Sequence, residues 1–354
     1  MRTAPFGLAA PTVVGEVAIG WGVQVSGLRY VALGGGSYHW VAAAKDGRQY
    51  FLTVDDLQDK PWLGADPDSA FRGLHAAFDT ALTLHDQARL DFVIAPIPSV
   101  HGQSARRLTE RYSLAVFPFV AGQVGRWGTD FARQDRNALA RLLGELHRST
   151  PAVEALAQRR GTALPGRAGL EAALGELDQP WTGGPFAEQA RAAVAASAGA
   201  VTGWLATFDQ LAAHLRDSDA SLVVTHGEPH PGNIMRAGDQ LMLIDWDTVA
   251  LAPPERDLWM LDGGSPGALA RYTKATGRTV DTMAISFYRL AWTLTDIASF
   301  TGRLRSAHER NPDTEHAWRA LQVCFNPESS ARSGPFGRRE RRRWWRGPWQ
   351  RAAR

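Results

Sequence analysis

A single cysteine, Cys324, stands among 354 residues, which excludes an internal disulfide framework and a thiolate metal cluster and suits a reducing compartment. No run of 18 apolar residues occurs, so no stretch reads as a membrane-spanning helix and no membrane partner is expected. Glu16 and the glycine-rich segment interrupt the apolar residues near the N-terminus, so the chain reads as a cytoplasmic protein without an export signal. None of the ten histidines has zinc-ligand spacing, and no Gly-x-x-x-x-Gly-Lys-Ser/Thr string occurs, which excludes the P-loop class. Internal repeats are missing too. The remaining composition, 44% apolar, is that of a globular chain long enough for two lobes with a sizeable core.

Charge is unevenly spread. Residues 331–354 carry nine Arg and one Glu, or +8, which leaves −5 for the first 330 residues of a chain whose total is +3. An acidic body suits a small cationic or polyhydroxylated molecule better than nucleic acid. The tail interleaves arginine with Trp344, Trp345 and Trp349. That mixture is able to bind nucleic acid or an anionic membrane, but a disordered extension is the simpler expectation.

The chemistry concentrates between Val223 and Asp257. An apolar strand (222–224) leads into His226-Gly227-Glu228-Pro229-His230-Pro231-Gly232-Asn233, and a second apolar strand (241–244) ends at Asp245. Two adjacent loops thus supply an acid, an amide and a second acid. Phosphoryl transfer needs that set: one carboxylate takes the proton of the acceptor hydroxyl, while the amide oxygen and the other carboxylate hold Mg²⁺ against nucleotide phosphates. Taken singly, Asp245 is equally a strand-end cap and Asn233 a turn residue.

The spacing from His226-Gly227-Glu228 to Asn233 and then to Asp245 resembles the core of the aminoglycoside phosphotransferase family. The string Asp245-Trp246-Asp247-Thr248, followed by Pro254-Glu255-Arg256-Asp257-Leu258, is most similar to the spectinomycin-phosphotransferase branch. The resemblance implies an α+β, bilobal protein-kinase-like fold with a small antiparallel-sheet N-lobe and a mainly helical C-lobe. It also implies ATP or GTP as phosphate donor, Mg²⁺ at Asn233 and Asp245, and Glu228 as the catalytic carboxylate where the family has Asp. Asp257 and His226 are then expected to support the loops and Asp247 to approach the acceptor, with His230 serving either to support the loop or to contact the acceptor.

Residues 1–115 alternate short apolar runs with turn signals and form the expected N-lobe. Segments 23–25, 29–33, 40–43 and 50–54 have strand character, with Asp46-Gly47 as a hairpin turn. Gly34-Gly35-Gly36-Ser37 lies between two of these strands, where backbone N–H groups without a Cβ in the way can approach phosphates; a hairpin tip is the alternative. The family pattern next requires a strand lysine and a helix glutamate. Thr53 stands at the first position, and the helix over 67–87 contains no Glu. Lys45, Arg29 and Lys60 are the cations close enough in sequence to substitute.

Residues 116–122 end an apolar strand in Pro and Gly and form the expected hinge. The resemblance puts nucleotide contacts there at Phe117, Phe119 and Val120. From about residue 129 the apolar period becomes 3.6, giving an expected helical C-lobe over 123–330. Within it Tyr288, Trp292 and Asp296 recur at four-residue spacing and share a helix face, which suits either core packing or a cationic acceptor held by stacking and ion pairing. Three functions fit: a small-molecule O-phosphotransferase acting on an aminoglycoside or aminocyclitol, a pseudokinase that binds nucleotide or ligand, and a metabolic kinase of choline, homoserine or a sugar.

Overall fold

Strand β3 (Gln49–Asp56) alternates its side chains between two faces, and both faces are covered. In the computed structural model, which describes residues 1–5, 7–126, 129–218, 220–261 and 266–325, Tyr50, Leu52 and Val54 pack into one buried cluster with Val13, Val17 and Trp21 of helix α1 (Ala10–Trp21). Phe51 packs on the opposite face with Leu74 and Phe78 of helix α2 (Pro67–Asp86). Thr53 and Asp55 share the Phe51 side by strand period. The arginine-rich tail lies outside the described residues.

Strands β1 (Val25–Val31), β2 (Ser37–Ala44), β3, β4 (Arg106–Arg107) and β5 (Tyr112–Pro118) form one antiparallel sheet in the order β1-β2-β3-β5-β4. The hairpin between β2 and β3 turns at Asp46-Gly47 as the sequence indicates, with Gly47 at φ 85° and its N–H bonded to the Ala44 carbonyl. Helix α1 was not expected from the alternating pattern. Its signals are terminal: Pro11 in the first turn, and Gly22 in the left-handed region (φ 66°) returning its N–H to Ala18.

Contacts divide the chain into two compact units. The first comprises Met1–Gly125, Leu142–Arg160 and Val223–Ala252. Besides the five-stranded sheet it holds β6 (Gln123–Val124), the end of α3 (Arg133–Arg148), α4 (Thr150–Val153), β7 (Val223–Thr225), β8 (Ile234–Ala237), β9 (Gln240–Leu243) and β10 (Ala250–Ala252). β6, β8 and β9 make a three-stranded sheet, and β7 pairs with β10. The loop carrying Glu228 and the loop carrying Asp245 therefore belong to the same unit as the glycine-rich hairpin.

The second unit is helical: α5 (Arg167–Gly175), the 31-residue α6 (Ala187–Asp217), α7 (Glu255–Leu258), α8 (Pro266–Thr276), α9 (Thr282–Arg305) and α10 (Pro312–Phe325). Ala187, Ala190 and Val194 of α6 share a buried cluster with Leu304, Ala317 and Leu321. Among the described residues no helix is long and apolar enough to cross a membrane.

One close approach positions a side chain that matters below. After β3 the chain makes a single helical turn, Leu57–Asp59, capped by the Asp56 carboxylate accepting from the Gln58 N–H, and then turns back at Lys60–Leu63. Gly73 of α2 lets this turn seat against the helix, because a Cβ there would lie 2.2 Å from the Leu63 carbonyl oxygen. At Gly203 in α6 a Cβ would meet nothing within 4 Å. Alanine at a free helical site gains about 0.5–1 kcal/mol over glycine. Gly203→Ala is therefore expected to stabilise by about that amount in denaturant titration, and Gly73→Ala to destabilise.

Candidate active site

His226 follows β7 directly, and its buried imidazole joins two loops. The ring meets the Ile244 carbonyl through Nε2 at 2.9 Å and accepts the Glu228 N–H at Nδ1 (3.2 Å). Those partners fix the neutral tautomer with the proton on Nε2. Trp246 packs edge-on against the ring at 4.7 Å, and the Thr248 hydroxyl donates to the His226 carbonyl at 2.8 Å. One imidazole thus aligns the segment before Glu228 with the segment around Asp245.

Asn233 ends the short helical turn Pro231–Asn233, where Pro231 sets the first residue's φ. Its Nδ2 donates to the Glu228 carbonyl at 3.0 Å, and its own carbonyl accepts from the Ile244 N–H at 3.1 Å. The amide's Oδ1 is left as an acceptor. Ile234 pairs with Leu243 at the start of the β8–β9 hairpin, so Asn233 and Asp245 sit at the same hairpin end. Asp245 adopts φ 68°, a left-handed conformation that Asp tolerates better than most residues.

Carboxylates crowd this place. Solvent reaches Asp245, yet enclosure by protein atoms, and after it the charge of Asp247, holds its carboxyl well above the usual carboxylate range; Lys60 acts in the opposite sense, and Glu228 and Asp55 add to the upward push. Lys60 is the cation that answers them. Its side chain is 1% exposed, and its Nζ lies 2.9 Å from Asp55 Oδ1, 2.5 Å from Asp247 Oδ2 and 3.2 Å from Ser37 Oγ. Burial alone would drive off the proton, but Asp247, Asp55 and Asp245 outweigh it and the ammonium stays charged.

Ser37 donates to Asp55 at 2.6 Å, so its hydroxyl is engaged. Gly34, Gly35 and Gly36 before it are exposed, and Gly34 has φ 61°. Thr53 sits on β3 facing His39, Oγ1 to Nδ1 at 3.3 Å, and His39 stacks on Phe51 at 5.1 Å. Helix α2 contains no glutamate; its acids are Asp68, which pairs with Arg107, Asp79 and Asp86, and its His75 bonds the Ser104 hydroxyl at 3.1 Å. Phe117 packs inward on Phe78, Val120 joins the same apolar cluster with Met242 and Ile244, and Phe119 is 40% exposed. His230 bonds through its backbone to the Glu228 carbonyl and the Asn233 N–H.

Glu228, Asn233, Asp245, Asp247, Ser37 and the glycines thus fall in one unit. Tyr288, Trp292 and Asp296 lie on α9 of the other, where Tyr288 is buried against Phe287 and Trp292 approaches Trp259 at 5.8 Å. Asp55 and His39 had not been singled out from the sequence. The strand period carried the signal for Asp55, two residues beyond Thr53 on the same face. Among the described residues no three His, Cys, Asp or Glu side chains are grouped to hold a metal. An amide oxygen beside a carboxylate pressed by like charge is nevertheless a hard-oxygen pair that fits Mg²⁺, which takes few protein ligands and keeps its waters.

The phosphotransferase enzyme family profile matches residues 41–284, well over half of the chain. The chain belongs to this family. Protein StrN of Streptomyces griseus is 26% identical over 272 residues, covering 73% of this chain and 79% of StrN. Among solved structures, spectinomycin phosphotransferase APH(9)-Ia in complex with ADP and spectinomycin superposes with a TM-score of 0.71 at 17% identity, over 91% of this chain and 96% of that one. Amicoumacin kinase hAmiN, bound to AMP-PNP and Ca²⁺, gives 0.57 at 14% identity, over 94% and 97%. The phosphotransferase fold expected from the sequence, an antiparallel-sheet N-terminal part followed by a mostly helical C-terminal part, is the fold found.

Enclosed titratable groups give the phosphotransferase opposing pH dependences. Burial, then the positive charge of the Met1 amino group and Lys60, pushes His39 down to about 3; burial, then His226, pushes His230 down to about 4. Both fall below the usual 6.5, so below that pH the unfolded chain binds protons that the folded chain does not, and stability drops as pH falls. Asp296 has the opposite sign: enclosure raises it to about 7, so the folded state binds the extra proton between about pH 7 and the ordinary Asp range. From pH 7 to pH 4.5 the parent is expected to lose stability relative to a His39→Gln/His230→Gln variant and to gain it relative to Asp296→Asn, read as differences in urea midpoint.

Proposed function

We propose that the protein transfers the γ-phosphate of ATP to a hydroxyl of a small polyhydroxylated or cationic acceptor, an aminoglycoside or aminocyclitol. The observation that carries this reading is the joining of Glu228, Asn233 and Asp245 through His226 and the β8–β9 hairpin, beside a glycine-rich turn in the same unit. Membership of the phosphotransferase enzyme family and a fold shared with spectinomycin phosphotransferase support it.

In this mechanism Asn233 Oδ1 and the Asp245 carboxylate hold Mg²⁺, which neutralises charge on the phosphates. Glu228 orients the acceptor hydroxyl and takes its proton as the oxygen–phosphorus bond forms, with ADP as the leaving group. The exposed backbone of Gly34–Gly36 faces the phosphates, the segment Phe117–Val120 meets the base, and Asp247 and His230 are the candidate acceptor contacts of this unit; Tyr288, Trp292 and Asp296, on one face of α9 in the other unit, are separate candidates for holding a cationic group. The like charge around Asp245 is poised for this work, since a divalent cation removes the repulsion that the protein alone leaves in place.

Purified protein with Mg-ATP is expected to phosphorylate at least one member of a panel of spectinomycin, other aminocyclitols and aminoglycosides, followed by ³²P transfer. Choline, homoserine and hexoses in the same panel separate a metabolic kinase from this reading, and nucleotide binding with no transfer to any acceptor overturns it. Glu228→Gln should lower transfer by about 10²–10⁴-fold, the usual worth of a positioned general base, while leaving ATP affinity in place. Asp245→Asn should abolish transfer yet raise stability by about 1 kcal/mol, because it removes a crowded charge and Asn accepts the left-handed backbone.

A further inference from the structure

We propose that Lys60 is the phosphate-binding lysine of the nucleotide site, delivered from the turn after β3 rather than from the strand. This rests on the nucleotide-site reading above. The strand position holds Thr53, whose hydroxyl is turned to His39 and carries no charge. Helix α2 supplies no glutamate, and its His75 is occupied by Ser104. The ion pair that the strand and helix lack is nevertheless present. Lys60 Nζ lies 2.9 Å from Asp55, an acid on the same face of β3 as Thr53 and two residues further along. The turn provides the cation and the strand the acid.

The partners of Lys60 locate its ammonium among the elements a nucleotide triphosphate would meet. Ser37, at 3.2 Å, immediately follows Gly34–Gly36; Asp247, at 2.5 Å, lies two residues beyond Asp245; and Lys60 acts electrostatically on Asp245 itself. The turn is held for the purpose by its seat on Gly73 and by the Trp62 ring, 5.3 Å from Nζ. A purely structural lysine would only neutralise its neighbours. Here Asp55, Asp245 and Asp247 gather around one ammonium, an excess of negative charge that a folded core has no reason to keep. Asp55 Oδ2 is buried with no hydrogen-bond partner among the described residues, so Asp55 has acceptor capacity to spare for Lys60. Asp55 is the fixed partner, and a phosphate oxygen takes the place of Asp247. The carboxylate released is left beside Asp245, where the divalent cation accompanying a nucleotide adds positive charge.

The test compares adenosine with ATP, each titrated calorimetrically in MgCl₂ into the full chain. The proteins are the parent, Lys60→Met, and Lys60→Met/Asp55→Asn, which removes both members of the Lys60–Asp55 pair and leaves Asp247 as the one directly paired carboxylate that loses its cation. Adenosine affinity should stay within about twofold throughout, while the advantage of ATP over adenosine falls at least about tenfold in both variants, the scale of one lost charge-assisted phosphate contact. An ATP-to-adenosine ratio equal to the parent's in either variant overturns the assignment, as does a parallel loss of both ligands in the double variant. A parent that binds ATP no better than adenosine overturns both this proposal and the nucleotide site. A parent that prefers ATP but phosphorylates no acceptor sinks the proposed function and leaves Lys60 to be decided by the ratio.

Discussion

Like charges held close together are the constraint around which the first unit is built. Asp55, Asp245 and Asp247 come from a strand and a loop far apart in sequence, and a single buried ammonium answers them. At separations near 4 Å the interaction of two unit charges is worth about 4 kcal/mol even with the effective screening found near protein surfaces. Removing one partner of a buried pair costs about 3–5 kcal/mol. While Lys60 and Asp247 are paired, neither the turn bearing the lysine nor the loop bearing the acid moves independently of the other. Gly73 and the Asp56 cap place the turn, and through it they place the charge.

The second organising device is neutral. His226 uses both ring nitrogens and its carbonyl to tie Glu228, Ile244 and Thr248 together, and it is fully buried. A charged imidazole could not accept the Glu228 N–H, so the arrangement depends on the ring staying unprotonated. The two loops are thus matched by hydrogen bonds rather than by ion pairs. The ionic partners remain for Lys60.

Much of this was legible in the residues, for identifiable reasons. The Asp46-Gly47 hairpin follows from turn chemistry acting over four residues. The apolar strands at 222–224 and 241–244 were legible as well, but they are β7 and β9 of different sheets, and the hairpin that brings Asn233 and Asp245 to one end is β8–β9, which the apolar runs did not mark. Turn and strands are local signals. Helix α1 escaped notice because its apolar residues, Val13, Val17 and Trp21, sit among small residues that give little contrast between faces, leaving Pro11 and Gly22 as the only markers. The Lys60–Asp247 contact spans 187 residues, and no periodicity carries information over that distance. The lysine could be named as one of three candidates. Choosing among them needed the fold.

The same geometry bears on the substitution at residue 228. A Glu places its carboxylate one methylene, about 1.5 Å, beyond where an Asp would. A flexible loop could absorb that by retreating, but the backbone here is pinned on both sides: the Glu228 N–H is given to His226 and its carbonyl takes the Asn233 amide and the His230 N–H. Retreat would break bonds that also orient Asn233. The extra methylene must therefore be taken up by the side chain folding back, at the entropic cost of one more ordered torsion, or by an acceptor whose hydroxyl stands further from the loop. In the transfer proposed above, this pinned backbone would turn the one-methylene change at residue 228 into a selector for the shape of the acceptor.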